Sequence, residues 1–295
     1  MTPVETIVIL LAGHAVLIAF GVRFLSGAPF RTRIGYEIPD PAFLRACLPW
    51  IALFCLVLLA HVVEIHFDVW LAEVLALDFT RDIHGFERDL PAAFQSIVHP
   101  VLDLLFVGIY IFTYVFLIYF TPAFFVLHRE RHNLALYVCA FAIGWLLALP
   151  FFLFLPMHDP WSASLEPWYV GTPVDFGLGR IWPDVLEGYY RFTSPNNELP
   201  SFHSQLSAMC AGVAWLSGHR RLAYFATFCA LTIPITSLYL GLHWLTDIGV
   251  GQLFAAVSVA AAWRLTRPLR AQAVALEPRP VAGPREHAPV EASTP

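Results

Sequence analysis

Apolar residues run in long unbroken stretches along this chain, and polar positions gather in the gaps between them. Seven such stretches stand out, at 4–24, 44–67, 101–127, 134–155, 202–217, 222–240 and 245–265. A bilayer core about 30 Å thick takes roughly 20 residues of helix. The pattern therefore predicts an all-α fold, a polytopic membrane helix bundle with about seven transmembrane helices. Two of the gaps are long. In 67–90, Phe67, Trp70, Leu71, Val74, Leu75 and Ala76 recur at helical spacing, with Asp68, Glu73 and Asp78 off that stripe. That spacing predicts an amphipathic helix, lying either in the membrane interface or packed on the bundle as a connector. The second gap, 156–200, is rich in proline, glycine and tryptophan, and Trp161, Trp168 and Trp182 suit headgroup depth. After Arg270 the composition turns to Pro, Ala, Glu and Arg without an apolar pattern, which predicts a disordered tail. The chain thus divides into N-terminal helices with the amphipathic segment (1–133), the last four helices (134–265) and a tail (266–295).

Charge orients the bundle. Arg23, Arg31 and Arg33 follow the first run, Arg129 and Arg131 the third, Arg220 and Arg221 the fifth, and Arg264, Arg267 and Arg270 close the seventh. Cytoplasmic loops carry the excess of basic residues, so the N-terminus is expected outside and the C-terminus in the cytoplasm. The first apolar run has no arginine before it, as a signal peptide would, and reads as a retained helix. Every basic residue is arginine, which excludes Schiff-base and P-loop lysine chemistry. The net charge of −5 and the lack of a basic block exclude a nucleic-acid partner. The five cysteines (Cys47, Cys55, Cys139, Cys210 and Cys229) sit within apolar runs without CxxC spacing, so neither a disulfide framework nor a zinc site is expected. The missing lysine and the arginine- and alanine-rich tail suggest a GC-rich genome; a bacterial plasma membrane is the expectation, and an endomembrane whose lumen replaces the outside is the alternative.

Two segments carry candidate chemistry. Residues 197–204 read Asn-Glu-Leu-Pro-Ser-Phe-His-Ser and open the fifth run. Proline suits the first turn of a helix. The free amides of that helix start, with the Ser201 hydroxyl, suit an anion that His203 could reach. Residues 237–247 read Ser-Leu-Tyr-Leu-Gly-Leu-His-Trp-Leu-Thr-Asp, placing His243 and Asp247 four apart, on one face of a helix. A carboxylate beside an imidazole fixes its tautomer and stabilises its charge. The arginine pattern puts both segments at the outer face.

Together these motifs resemble the type 2 phosphatidic acid phosphatase superfamily. Pro200-Ser201-Phe202-His203 matches its Pro-Ser-x-His signature, and His243 to Asp247 matches the spacing of its last signature, within Tyr-Leu-Gly-x-His-Trp. Two features depart from the phosphatases. Ser237 stands where the last signature has arginine, and the lysine-containing first signature cannot exist in this chain. The inositol phosphorylceramide synthase and sphingomyelin synthase branch likewise lacks that arginine, and Pro-Ser-Phe-His resembles it more closely. The resemblance implies a lipid phosphotransferase, with His243 as nucleophile forming a phosphohistidine, Asp247 orienting it and His203 as general acid. It implies a membrane lipid as donor, an alcohol or water as acceptor, and neither metal nor cofactor. Ser201, with Arg180 or Arg191 in place of the missing cations, would hold the phosphate, and Tyr239 lies in the same motif. Glu64 (three residues from His61) and Asp103 sit within apolar runs near the same depth and could position the acceptor or its headgroup. The alternatives are a phosphatase using the same residues, a non-catalytic lipid-binding protein, and a proton-coupled transporter built on His61, Glu64 and Asp103.

Overall fold

The computed structural model describes residues 3–25, 40–183 and 193–276. Among them the chain is helical, with one isolated bridge between Met157 and Asn197 and no sheet. Helix α1 (Pro3–Phe20) runs into a π turn, Gly21–Leu25. Then come α2 (Pro41–Leu75), α3 (Thr80–Glu87), α4 (Leu90–Phe94), α5 (Pro100–Leu127) and α6 (Arg131–Phe154). Two short helices, α7 (Pro160–Ala163) and α8 (Gly177–Ile181), interrupt the long loop. The chain continues as α9 (Phe202–Leu216), α10 (Arg220–Tyr239), α11 (Leu245–Leu265) and α12 (Arg267–Leu276).

All seven apolar runs become helices, and the fold is a polytopic membrane bundle. Among the described residues five helices are long and apolar enough to cross a bilayer: α2, α5, α6, α10 and α11. Their outward faces are apolar, with Leu56, Leu59, Leu104, Leu146, Leu231 and Leu253 each more than half exposed. A lipid environment accepts such a surface, because only the backbone has to be satisfied internally there. Helix α9 differs. Its 15 residues span about 22 Å, less than the roughly 30 Å of hydrocarbon. It carries the buried polar side chains Ser204, Gln205 and Ser207 and packs against α6, α10 and α11. It forms the axis of the bundle, and Leu206, Met209 and Val213 on it meet Phe116, Tyr137 and Ile233 in the core.

The bundle has two distinct ends. One collects Glu130 and His219, 2.8 Å apart, with His128 stacked on Phe124 at 3.9 Å. Arg129, Arg131, Arg220 and Arg221 belong to the same turns. The other end gathers the starts of α5, α9 and α11 and the end of α10, tied where the His99 amide donates to the Tyr239 hydroxyl at 3.2 Å. The 67–90 segment lies there; its first part continues α2 with Phe67, Trp70, Val74 and Leu75 exposed, so that apolar stripe does not pack on the bundle. Helix α2 extends unbroken to Leu75, Ala76 ends it in the left-handed region (φ 51°), and α3 packs onto the bundle. Glu87, at the end of α3, accepts the amides of Leu245 (2.8 Å) and Thr246 (2.5 Å). A carboxylate at a helix start meets both the free amides and the positive end of the dipole. Helix α12 runs to Leu276, so the first residues of the segment read as a disordered tail are helical, and 277–295 lie outside the described residues. The five cysteines are free thiols, four of them buried and Cys55 exposed on the bundle surface.

Candidate active site

Residues 198–203 form the wall of the site. Ser201 is the N-cap of α9, and its fully buried hydroxyl accepts the Ser204 amide at 3.3 Å. Its own amide donates to the Asp247 carbonyl at 3.0 Å, and Ser204 Oγ donates to the Ile248 carbonyl at 3.2 Å. These bonds press the start of α9 against the start of α11. Gly251 permits the approach, since a Cβ there would stand 2.4 Å from the Ser201 carbonyl oxygen. The Leu199–Pro200 peptide is cis. His203 falls on the first turn of α9, as the sequence implies, and its ring is flanked by Tyr110 at 4.7 Å and Tyr114 at 4.6 Å. Tyr110 lies in a π segment of α5, Ile109–Thr113, and Tyr114 follows it directly. A π turn shifts the facing of side chains along a helix, and such turns recur at functional sites.

His243 comes from the turn between α10 and α11. Gly241 makes that turn at φ 76°, where a Cβ would also meet the Asp175 carbonyl oxygen at 2.6 Å. Trp244, wholly buried, anchors the turn by donating Nε1–H to the His158 carbonyl at 2.9 Å. The expectation that His243 and Asp247 share a helix face is corrected here. Helix α11 begins at Leu245, so His243 precedes it. The Asp247 carboxylate turns back to accept the Trp244 amide (Oδ2, 2.9 Å), as an N3 acid does in a capping box. The same oxygen stands 3.6 Å from His243 Nδ1. Across the site, His243 Nε2 and His203 Nδ1 are 3.2 Å apart. The two histidines separated by 40 positions thus meet through their ring nitrogens.

Sequence reasoning did not single out Glu198. Its Oε2 lies 2.8 Å from His243 Nδ1, closer than Asp247, and both side chains are buried. Its signal was present, as an acid five residues before the Pro-Ser-Phe-His histidine, but no spacing rule links it to position 243. Asp159 is also buried, caps α7 by accepting the Ser162 amide at 3.1 Å, and lies beside Glu198. Burial and the Glu198 charge push its carboxyl up to about 8. Burial disfavours charge on His243, but the Glu198 and Asp247 carboxylates outweigh it and raise the imidazole to about 10. Glu198, His243 and Asp247 offer ligand atoms within 4.8 Å of one another, a donor set a divalent ion could use. The 2.8 Å contact is equally that of an imidazole–carboxylate pair.

The remaining expected residues divide into groups. Arg180, Asp103 and Tyr239 form one cluster: Arg180 Nε donates to Asp103 Oδ1 at 2.9 Å, the Tyr239 hydroxyl donates to the same oxygen at 2.8 Å, and the guanidinium lies 5.2 Å from the Tyr239 ring centre. Arg180 is therefore neutralised by Asp103, while its buried Nη1 has no hydrogen-bond partner among the described residues. The cluster adjoins the site, since Tyr239 packs with Tyr110, whose ring faces His203. Glu64 pairs with His61 at 2.8 Å, and the His61 ring lies 5.0 Å from that of Phe202. Ser237 donates to the Ile233 carbonyl at 3.0 Å and is fully buried. Arg191 lies outside the described residues.

Comparison with known proteins gives a family. A model of the PAP2 superfamily matches residues 81–261. An uncharacterized protein of Methanocaldococcus jannaschii is 27% identical over 115 residues, which cover 38% of this chain and 41% of that protein. The chain therefore matches only about two fifths of that relative's length. No solved structure matches.

Proposed function

The chain belongs to the PAP2 superfamily, and on that premise we propose that it is a membrane lipid phosphotransferase working through a phosphohistidine. The observation that carries this reading is the facing of His203 Nδ1 and His243 Nε2 at 3.2 Å, with the rings of Tyr110 and Tyr114 against His203. His243 Nε2 attacks the phosphorus of a phospholipid ester, and the P–O bond to the leaving alcohol breaks. His203 gives its proton to the departing oxygen. An acceptor alcohol then loses its proton to His203 and attacks phosphorus, breaking the P–N bond and freeing His243. The free amides at the start of α9 and the spare N–H of Arg180 would hold the non-bridging oxygens. The start of α11 does not offer such a site, because Glu87 occupies its amides.

Transfer is preferred over hydrolysis for two reasons. The cationic clamp of the phosphatases is missing at Ser237, and Pro-Ser-Phe-His resembles the inositol phosphorylceramide synthase and sphingomyelin synthase branch. The arginine distribution supports a catalytic core at 134–265 facing the outer side of a bacterial plasma membrane. The test is product analysis with purified protein in lipid, wild type beside His243→Ala, using phosphate-labelled phospholipids with and without alcohol acceptors. Label entering a new ester only with wild type is the expected result. Label released solely as free phosphate would make the protein a phosphatase. Equal behaviour of the two proteins would remove His243 from catalysis.

A further inference from the structure

We propose that Glu198 is a positioning residue of this site, the closer of two carboxylates that hold a shared proton on the His243–His203 pair, beside Asp247, which also builds the turn. The inference rests on the proposed phosphotransfer but concerns a residue outside the motifs that suggested it. Three observations carry it. Glu198 Oε2 is 2.8 Å from His243 Nδ1, against 3.6 Å for Asp247 Oδ2. That Asp247 oxygen is already engaged by the Trp244 amide at 2.9 Å, and the Asp247 carbonyl by Ser201. The Glu198 contact is short but off the ring N–H axis, so it acts through charge more than through a linear hydrogen bond. Both groups are buried, where water does little to weaken the attraction.

The proton count follows. With Glu198 ionised, His243 rests as an imidazolium, its Nδ1–H beside the Glu198 and Asp247 carboxylates and its Nε2 proton towards His203 Nδ1. When a phosphate ester enters, the Nε2 proton passes to His203. That single transfer frees the Nε2 lone pair of the nucleophile and charges the acid. As Nε2 bonds to phosphorus, positive charge returns to the ring, and Glu198 again faces it across Nδ1–H. One carboxylate thereby serves both the resting and the phosphorylated states.

The groups bearing on this proton come from several elements. Glu198 lies in the loop, Asp247 on α11, His203 on α9, and Tyr110 and Tyr114 on α5. Asp159 stands next to Glu198, and His61 on α2 is near enough to act on His203. Asp159, raised by burial, is mostly protonated at neutral pH and does not compete for the proton.

Two measurements test the proposal on the full chain in lipid nanodiscs. In the first, nitrogen-15 NMR of labelled histidine follows the titration of His243, assigned with His243→Ala. This readout does not require activity, so it separates failure of the proposal from failure of the phosphotransfer reading. In wild type His243 should stay charged above pH 9, and in Glu198→Gln its midpoint should fall by more than about one pH unit. Asp247→Asn should move it less. The second is the pH–rate profile for transfer from a labelled phospholipid. Glu198→Gln should lose roughly 10- to 100-fold in turnover and bring the alkaline limb to lower pH, with Glu198→Asp recovering part of both. The proposal is overturned if His243 titrates near neutrality in wild type, or if Asp247→Asn moves the midpoint more than Glu198→Gln. It is also overturned if EDTA inactivates wild type and added zinc or manganese restores it, which would make the three residues a metal site.

Discussion

Replacing Gly251 by alanine adds one methyl group, and the structure says where that group would go. Its Cβ would stand 2.4 Å from the Ser201 carbonyl oxygen and 3.3 Å from the Gln205 amide nitrogen, whereas ordinary contact begins at 3.4 Å. The nearest obstacle is backbone, so it cannot rotate aside, and the start of α9 has to retreat from α11 by about 1 Å. Overpacking of this kind costs about 1–3 kcal/mol, and the gain in helix propensity of alanine over glycine returns about 1 kcal/mol. The net loss of stability is then about 0–2 kcal/mol, small enough to leave a folded protein. Catalysis should suffer more, because the moving turn carries His203 and is bonded to Asp247. A displacement near 1 Å costs on the order of 100-fold in rate. Gly249→Ala is the control. It lies on the same helix, exposed, with nothing within 4 Å of the added Cβ, and should stabilise by about 0.5–1 kcal/mol with full activity. The assay is transfer of label from phospholipid in nanodiscs, beside thermal unfolding of each variant. If Gly251→Ala keeps activity within about threefold of wild type, the close contact of the two helix starts does not set the reactive geometry.

Two further perturbations probe the supports of the site. Glu87→Gln keeps one acceptor but removes the charge at the start of α11, and should cost about 1–2 kcal/mol; Glu87→Ala should cost about 3 kcal/mol, with denaturation in nanodiscs as the measure and equal stability of all three proteins as the refuting result. Asp103→Ala leaves Arg180 half-buried without its counter-ion, so the double variant with Arg180→Ala should fold better than Asp103→Ala alone; costs that simply add would show that the pair is not coupled.

What the sequence revealed and what it concealed follow from the range of each interaction. His203 could be placed on the first turn of a helix because Ser201 caps that turn locally, although Pro200 falls before the cap and not within the turn. The His243–Asp247 spacing correctly signalled proximity but not its form, since Trp244 ends up as the N-cap and Asp247 bends back to it. The contacts from Glu198 to His243, Glu87 to Leu245 and Arg180 to Asp103 cross 45, 158 and 77 positions of chain. No periodicity reports contacts of that range, so a carboxylate could be seen at each position without its partner. The length of α2 was also hidden. Its apolar run suggested a stop near Phe67, yet the off-stripe Asp68 is buried in the fold and the helix continues to Leu75.

That length bears on how a lipid would reach the histidines. Thirty-five residues of helix measure about 52 Å, well beyond the roughly 30 Å of hydrocarbon and more than ordinary tilt accommodates. If 44–67 fills the apolar layer, the last two turns, from Asp68 to Leu75, rise through the layer where lipid phosphates reside. On the proposed phosphotransfer, a phospholipid in the leaflet would carry its ester bond at the height of those turns, with its chains still among its neighbours.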